Sequence, residues 1–149
     1  MNKRPLNIMI AENDEDDRAL VKFAFAECKL PNNIHFVEDG EQLLDYLNHR
    51  CPYEDPANSI RPDLILLDLD MPRMNGHEAL KEIKGNPKLR SIPVVIFTTS
   101  KAIQDINSTY NMGANSFIVK PVTYDGLIEV MNALAEYWFE ITELPLALP

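Results

Sequence analysis

Glu12, Asn13 and Asp14 follow one apolar run of this chain, Asp68 and Asp70 end another, Thr98 and Thr99 end a third, and Lys120 ends a fourth. Brought to one place, these residues supply carboxylate and carbonyl oxygens for a hard divalent cation, a nucleophile, a hydroxyl donor and an ammonium. That is the equipment of phosphoryl transfer, in which positioning and charge neutralisation carry most of the catalysis. Mg²⁺ suits such a set, because it keeps several waters and needs only one or two carboxylates beside the phosphate oxygens. Lys120 can neutralise an equatorial oxygen of the group in transit, and Thr98 can donate a hydrogen bond to another.

Asp68 carries the most weight. It sits inside LILLDLDMPRMNG, Leu64 to Gly76, where a short, wholly apolar run leads into two carboxylates before a proline and a glycine break the chain. Such a run is the pattern of a strand buried on both faces. Asp68 therefore falls where the strand leaves the core, at the carboxyl edge where open α/β sheets build their sites. A carboxylate there is costly unless a cation compensates it.

The elements that must position these residues follow from periodicity. Strand-like runs recur at Asn7 to Ala11, Ile34 to Val37, Leu64 to Leu67, Val94 to Phe97 and Ser116 to Val119. Helical patterns lie between and after them, at Glu15 to Cys28, Gln42 to Asn48, His77 to Lys84, Ile103 to Met112 and Thr123 to Glu143. Strict alternation of this kind predicts a doubly wound parallel sheet with right-handed crossovers and helices on both faces. Arg50 to Pro62 holds three prolines and reads as a surface loop before the third strand. Leu144 to Pro149 is apolar but contains two prolines, so it does not continue the last helix.

Bulk properties narrow the function classes. The 149 residues fit a single domain with a real core, and no stretch is long enough to span a bilayer or to form a secretory leader, which predicts a cytoplasmic protein. The net charge of -9 argues against a nucleic-acid partner, which needs a basic surface. Cys28 and Cys51 lack metal-ligand spacing and read as buried or incidental thiols. His35, His49 and His77 are scattered and read as structural or surface residues.

With these residues in hand, the chain resembles the receiver domains of two-component response regulators, the family of CheY, from Leu6 to about Trp138, with residues 139–149 as a C-terminal extension. The matching parts are the acidic turn AENDEDD from Ala11 to Asp17, Asp68 in its motif, Thr98 after IPVVIF, and Lys120 with Pro121 in NSFIVKP. The resemblance implies a flavodoxin-like five-stranded parallel sheet of order 2-1-3-4-5. It also implies that Asp68 is the phosphoacceptor, that Thr98 and Lys120 contact the phosphoryl group, and that Phe117 with Thr98 forms the switch. Glu12, Asn13, Asp68 and Asp70 become the metal set for Mg²⁺, and the bond from Lys120 to Pro121 is expected to be cis. The donor becomes a sensor histidine kinase. Such a protein is not an enzyme, although it assists its own phosphorylation and dephosphorylation, and with no output domain in sight its signal must leave through protein contacts. More narrowly, the long loop before the third strand and the tail AEYWFEITELP, Ala135 to Pro145, look like the small regulators that serve bacterial phytochromes.

One departure bears on the metal. The family usually has two acids after the first strand, and here the second is Asn13, whose carbonyl can ligate Mg²⁺ but brings no charge. Asp14 competes as a ligand, but reads better as a helix N-cap with Asp17 at the third helical position. Arg73 and Met74 fall on a mobile loop beside the site and receive no chemistry. Leu127, Met131, Leu134, Trp138, Ile141 and Leu144 form an apolar stripe too long for one sheet to cover, so Trp138, Phe139 and Ile141 are expected at a homodimer interface. Two rival readings remain open: a degenerate adaptor that no longer takes phosphate, and a phosphatase resembling the haloacid dehalogenases, whose DxD motif would be Asp68 and Asp70.

Overall fold

Leu64 to Leu67 and Val94 to Thr98 are buried at every position, as strands covered on both faces must be. The computed structural model describes residues 5–27 and 32–145. Strands β1 (Leu6–Ala11), β2 (Asn32–Val37), β3 (Leu64–Leu67), β4 (Val94–Thr98) and β5 (Ser116–Val119) form one sheet of order β2-β1-β3-β4-β5. Every neighbouring pair is parallel. Helices α1 (Glu15–Ala26), α2 (Gly40–Leu47), α3 (Gly76–Gly85) and α4 (Ile103–Met112) make the crossovers, and α5 (Tyr124–Ala135) follows the last strand. This is the doubly wound architecture expected from the alternation, in the strand order that the family resemblance implies.

Period-two side chains divide the core between the two faces. Met9, Ile65 and Ile96 pack with Leu43 of α2 and Leu80 of α3. Ile8, Leu66 and Val95 pack with Phe25 of α1 and Met131 of α5 on the other side. Strand order reverses direction between β1 and β3, which puts the crevice of the fold at their carboxyl ends. Caps set where several of the helices begin. Asp39 accepts from the Gln42 N–H, Asn75 and Glu78 form a reciprocal capping box, and Thr123 accepts from the Gly126 N–H.

Three expectations need correction. The last helix is α-helical only to Ala135 and continues as a π-type turn over Glu136–Ile141, where the Thr142 N–H donates to the Tyr137 carbonyl at 2.9 Å. That wider turn rotates the side chains, so Phe139, expected at an interface, is buried in the α1/α5 side of the core at 4 % exposure. The Lys120–Pro121 bond is trans, the isomer X-Pro bonds intrinsically favour, and Cys51–Pro52 is the cis bond among the described residues. The loop Arg50 to Pro62 lies at the surface as expected and is tied down locally: the Tyr46 hydroxyl donates to the Ile60 carbonyl, and Ser59 is buried. Cys51 in that loop is exposed, and Cys28 lies outside the described residues. Among the described residues no helix is long and apolar enough to cross a membrane.

Candidate functional site

The carboxyl ends of β1, β3 and β5 bring Glu12, Asp68 and Lys120 into direct contact. Register does most of this work. Asp68 follows β3, and its N–H donates to the Ala11 carbonyl at 3.1 Å, which seats it beside Glu12. The Glu12 N–H in turn donates to the Val37 carbonyl at 2.9 Å. The Lys120 N–H donates to the Thr98 carbonyl at 2.7 Å, on the last rung between β4 and β5. Thr98 itself is 1 % exposed.

Lys120 Nζ donates to Glu12 Oε1, to Asp17 Oδ2 at 2.8 Å and to Asp68 Oδ2 at 3.0 Å. The side chains of Lys120, Glu12 and Asp68 are 10, 4 and 7 % exposed, so these charges meet where water screens them little. Burial pushes the Glu12 carboxyl up to about 7; the hydrogen bond from Lys120 opposes this, and the Asp68 charge adds to it. Burial alone would lower the Lys120 ammonium. Hydrogen bonds to Asp17 and Glu12, with the charges of Asp68 and Glu12, outweigh that and raise it above the ordinary lysine value. Lys120 is therefore a fixed cation against which the carboxylates are arranged.

The remaining expected residues are placed less tightly. Asp70 is exposed, and its backbone N–H donates to Asp68 Oδ1 at 3.2 Å, so the turn after β3 helps orient the Asp68 carboxylate. Asn13, next to Glu12 in the chain, is exposed. Asp14 is the N-cap of α1, accepting from the Asp16 and Asp17 N–H groups. Phe117 is half-buried on β5, packed against the α2/α3 side of the core, with its N–H donating to the Tyr110 hydroxyl at 3.2 Å.

Asp17 was missed as a site residue. Read only as part of a capping arrangement with Asp14, its carboxylate instead reaches Lys120, while the Asp14 N–H is taken by Glu12 Oε2 at 3.1 Å. Arg73 does not lie on a free loop either: its guanidinium Nε donates to Asp39 Oδ2 at 2.7 Å. His77 and His49 have structural contacts, with Asp105 at 3.2 Å and with Ser59 at 2.7 Å.

For a divalent cation, the donor chemistry fits. Glu12 and Asp68 both reach the Lys120 ammonium and so stand side by side, the oxygens are hard, and the turn carbonyls after β1 and β3 are close in sequence to both. Among the described residues no group of three or more acidic, histidine or cysteine side chains forms a metal cage. The set thus suits an ion that keeps part of its own water shell.

The profile of the response regulator receiver domain matches residues 8–132. Response regulator Rcp1 of Synechocystis is 34 % identical, covering 96 % of this chain and 95 % of that protein. A probable methanogenesis regulatory protein, FilR2 of Methanothrix harundinacea, is 34 % identical over 90 % of this chain and 84 % of its own length. The crystal structure of the phosphorylated cyanobacterial phytochrome response regulator RcpA superposes with a TM-score of 0.89 at 35 % identity, covering 96 % of this chain and all of that one. Rcp1 in its Mn²⁺-bound form gives 0.88 at 33 % identity, over 95 % of this chain and 100 % of that chain.

Proposed function

Because this chain belongs to the response regulator receiver domain family, and so to two-component signalling, we propose that Asp68 takes a phosphoryl group from the phosphohistidine of a sensor kinase in the cytoplasm. The observation that carries this reading is the Lys120 ammonium on Asp68 Oδ2, at strand ends where both side chains are nearly excluded from solvent. A carboxylate oxygen of Asp68 attacks phosphorus, the new O–P bond forms as the P–N bond to the imidazole breaks, and the nitrogen keeps the electron pair. Lys120 swings from carboxylate to phosphoryl oxygen without changing protonation, because its ammonium is held well charged. Thr98 donates its hydroxyl to a second oxygen, and Phe117 moves inward behind it, which biases the surface of α4 and β5 between two states. Water later attacks phosphorus, the Asp68 O–P bond breaks, and inorganic phosphate leaves with Asp68 again a carboxylate.

Receiver domains bind divalent metal, and for this chain we propose Mg²⁺ held by Glu12, Asp68, Asn13 and the Asp70 carbonyl. When bound, the ion offsets charge on the phosphoryl oxygens. Asn13→Asp is expected to tighten Mg²⁺ about fivefold, since an added charge at a solvent-screened ligand is worth about 1 kcal/mol. Calorimetric titration measures it; unchanged or weaker affinity removes Asn13 from the ligand set.

The phosphorylated, phytochrome-named RcpA supports a bacterial phytochrome as the kinase. Incubation with a small acyl phosphate and Mg²⁺ tests the central reading. A stoichiometric, alkali-labile adduct on Asp68 supports it, catalytic turnover of the donor marks a phosphatase, and no adduct marks a degenerate adaptor.

A homodimer is proposed along α5 and the β5 edge. Support comes from an apolar groove lined by Tyr137, Trp138, Val130 and Ile118, and from the exposure of Ile141, 63 %, at the end of the same helix. Sedimentation at micromolar concentration is expected to show a dimer, and Trp138→Ala with Ile141→Ser to shift it to monomer while Asp68 still accepts phosphate. A monomeric parent protein across that range refutes the dimer.

A further inference from the structure

We propose that Arg73 is a positioning residue that, through the buried carboxylate of Asp39, holds the turn orienting Asp68. The argument begins with Asp39. Its side chain is fully excluded from solvent, where an unpaired carboxylate is costly. One oxygen, Oδ1, caps α2 by accepting from the Gln42 N–H at 2.8 Å. The other, Oδ2, accepts two N–H groups of the Arg73 guanidinium, from Nε at 2.7 Å and from a terminal nitrogen.

Arg73 reaches Asp39 across the sheet edge from the segment joining β3 to α3. Its backbone is in the left-handed region, φ 62°, which long side chains rarely adopt. The same segment is tied at a second point, where the Gly40 N–H donates to the Met74 carbonyl at 2.8 Å. Gly40 permits that approach, since a Cβ there would lie 2.4 Å from the Met74 oxygen. At its end, the Gly76 N–H donates back to the Leu69 carbonyl at 3.1 Å. Between these ties lies Asp70, whose N–H donates to Asp68 Oδ1. The orientation of the Asp68 carboxylate is therefore linked, through a short fixed turn, to the Arg73–Asp39 pair. A partner that orients a reacting or ligating carboxylate usually acts on rate and ion affinity more than on fold.

This inference rests on Asp68 as phosphoacceptor, and its test separates the two. Arg73→Gly deletes the guanidinium and frees the left-handed backbone of strain; Arg73→Ala deletes the guanidinium but leaves a Cβ in that conformation; Arg73→Lys keeps the charge with a different donor geometry. In Arg73→Gly and Arg73→Ala, labelling of Asp68 by acetyl phosphate with Mg²⁺ is expected to slow by about tenfold, with Arg73→Lys intermediate. Exchange of the Gly40 amide, read by hydrogen–deuterium exchange, should quicken in parallel. Asp39→Asn keeps the cap acceptor and should act in the same direction, adding little when combined with Arg73→Gly, as expected for one coupled unit. A normal labelling rate in Arg73→Gly beside a labelled parent protein overturns the positioning role, even if melting temperature falls. Failure of the parent protein to label at all removes the phosphoacceptor reading instead.

Discussion

Asp68→Asn is expected to lose covalent phosphorylation altogether, a fall on the order of a thousandfold or more, while the protein folds as before. The amide keeps the shape of the side chain. Its one oxygen can still accept from either Lys120 or the Asp70 N–H, which now hold separate oxygens of Asp68, and the other contact is lost to the amide NH2. What disappears is the nucleophile, together with one of the charges that crowd Glu12. Thermal stability should therefore stay level or rise slightly, because repulsion between nearby carboxylates is relieved. Radiolabelled or intact-mass stoichiometry after treatment with an acyl phosphate decides the matter. A variant that still carries one labile aspartyl phosphate would move the nucleophile elsewhere, with Asp70 the neighbour to examine.

Lys120→Ala removes the cation shared by Glu12, Asp17 and Asp68. Two of those carboxylates are almost wholly buried, and breaking a buried ion pair from one side costs about 3 kcal/mol. The pH dependence follows from Glu12. Its folded pKa of about 7 already exceeds the ordinary 4.5, so between these values the folded state binds more protons and stability falls as pH rises. Without Lys120 the hydrogen bond that restrains this shift is gone. The deficit of the variant against the parent protein should thus be small near about pH 5 and larger near about pH 8. Denaturant titrations at both pH values measure it. Phosphorylation of the variant should also be slow, since no other ammonium among the described residues contacts Asp68. An equal deficit at both pH values, with an unchanged labelling rate, would remove Lys120 from the site.

Much of this architecture was legible because a parallel sheet leaves an unusually plain trace. Strands such as Leu64 to Leu67 must be apolar throughout, and the polar residues after them mark the edge where the site is built. Glu12, Asp68, Thr98 and Lys120 were readable for that reason. Contacts made across long stretches of chain left no local trace. Asp17 meets Lys120 across 103 positions, and Arg73 meets Asp39 across 34. Nothing in the spacing of DEDD or PRM distinguishes such pairs from solvated charges. Phe139 was misplaced for a different reason. It lies off the apolar stripe, and placing it at an interface assumes that the end of the helix outruns the core, whereas the π-type turn after Ala135 turns its ring inward.

The hydrogen bond from the Lys120 N–H to the Thr98 carbonyl joins the two groups proposed to grip the phosphoryl oxygens into one length of sheet margin. All four residues of β5 are only half-buried, unlike those of β3 and β4. Local opening free energies are lowest where burial is least, and can lie far below that of global unfolding. Fidelity of signalling is then limited by how often this margin frays rather than by how stable the whole protein is. A substitution that leaves the melting temperature untouched but loosens β5 would blur the distinction between the phosphorylated and unphosphorylated states.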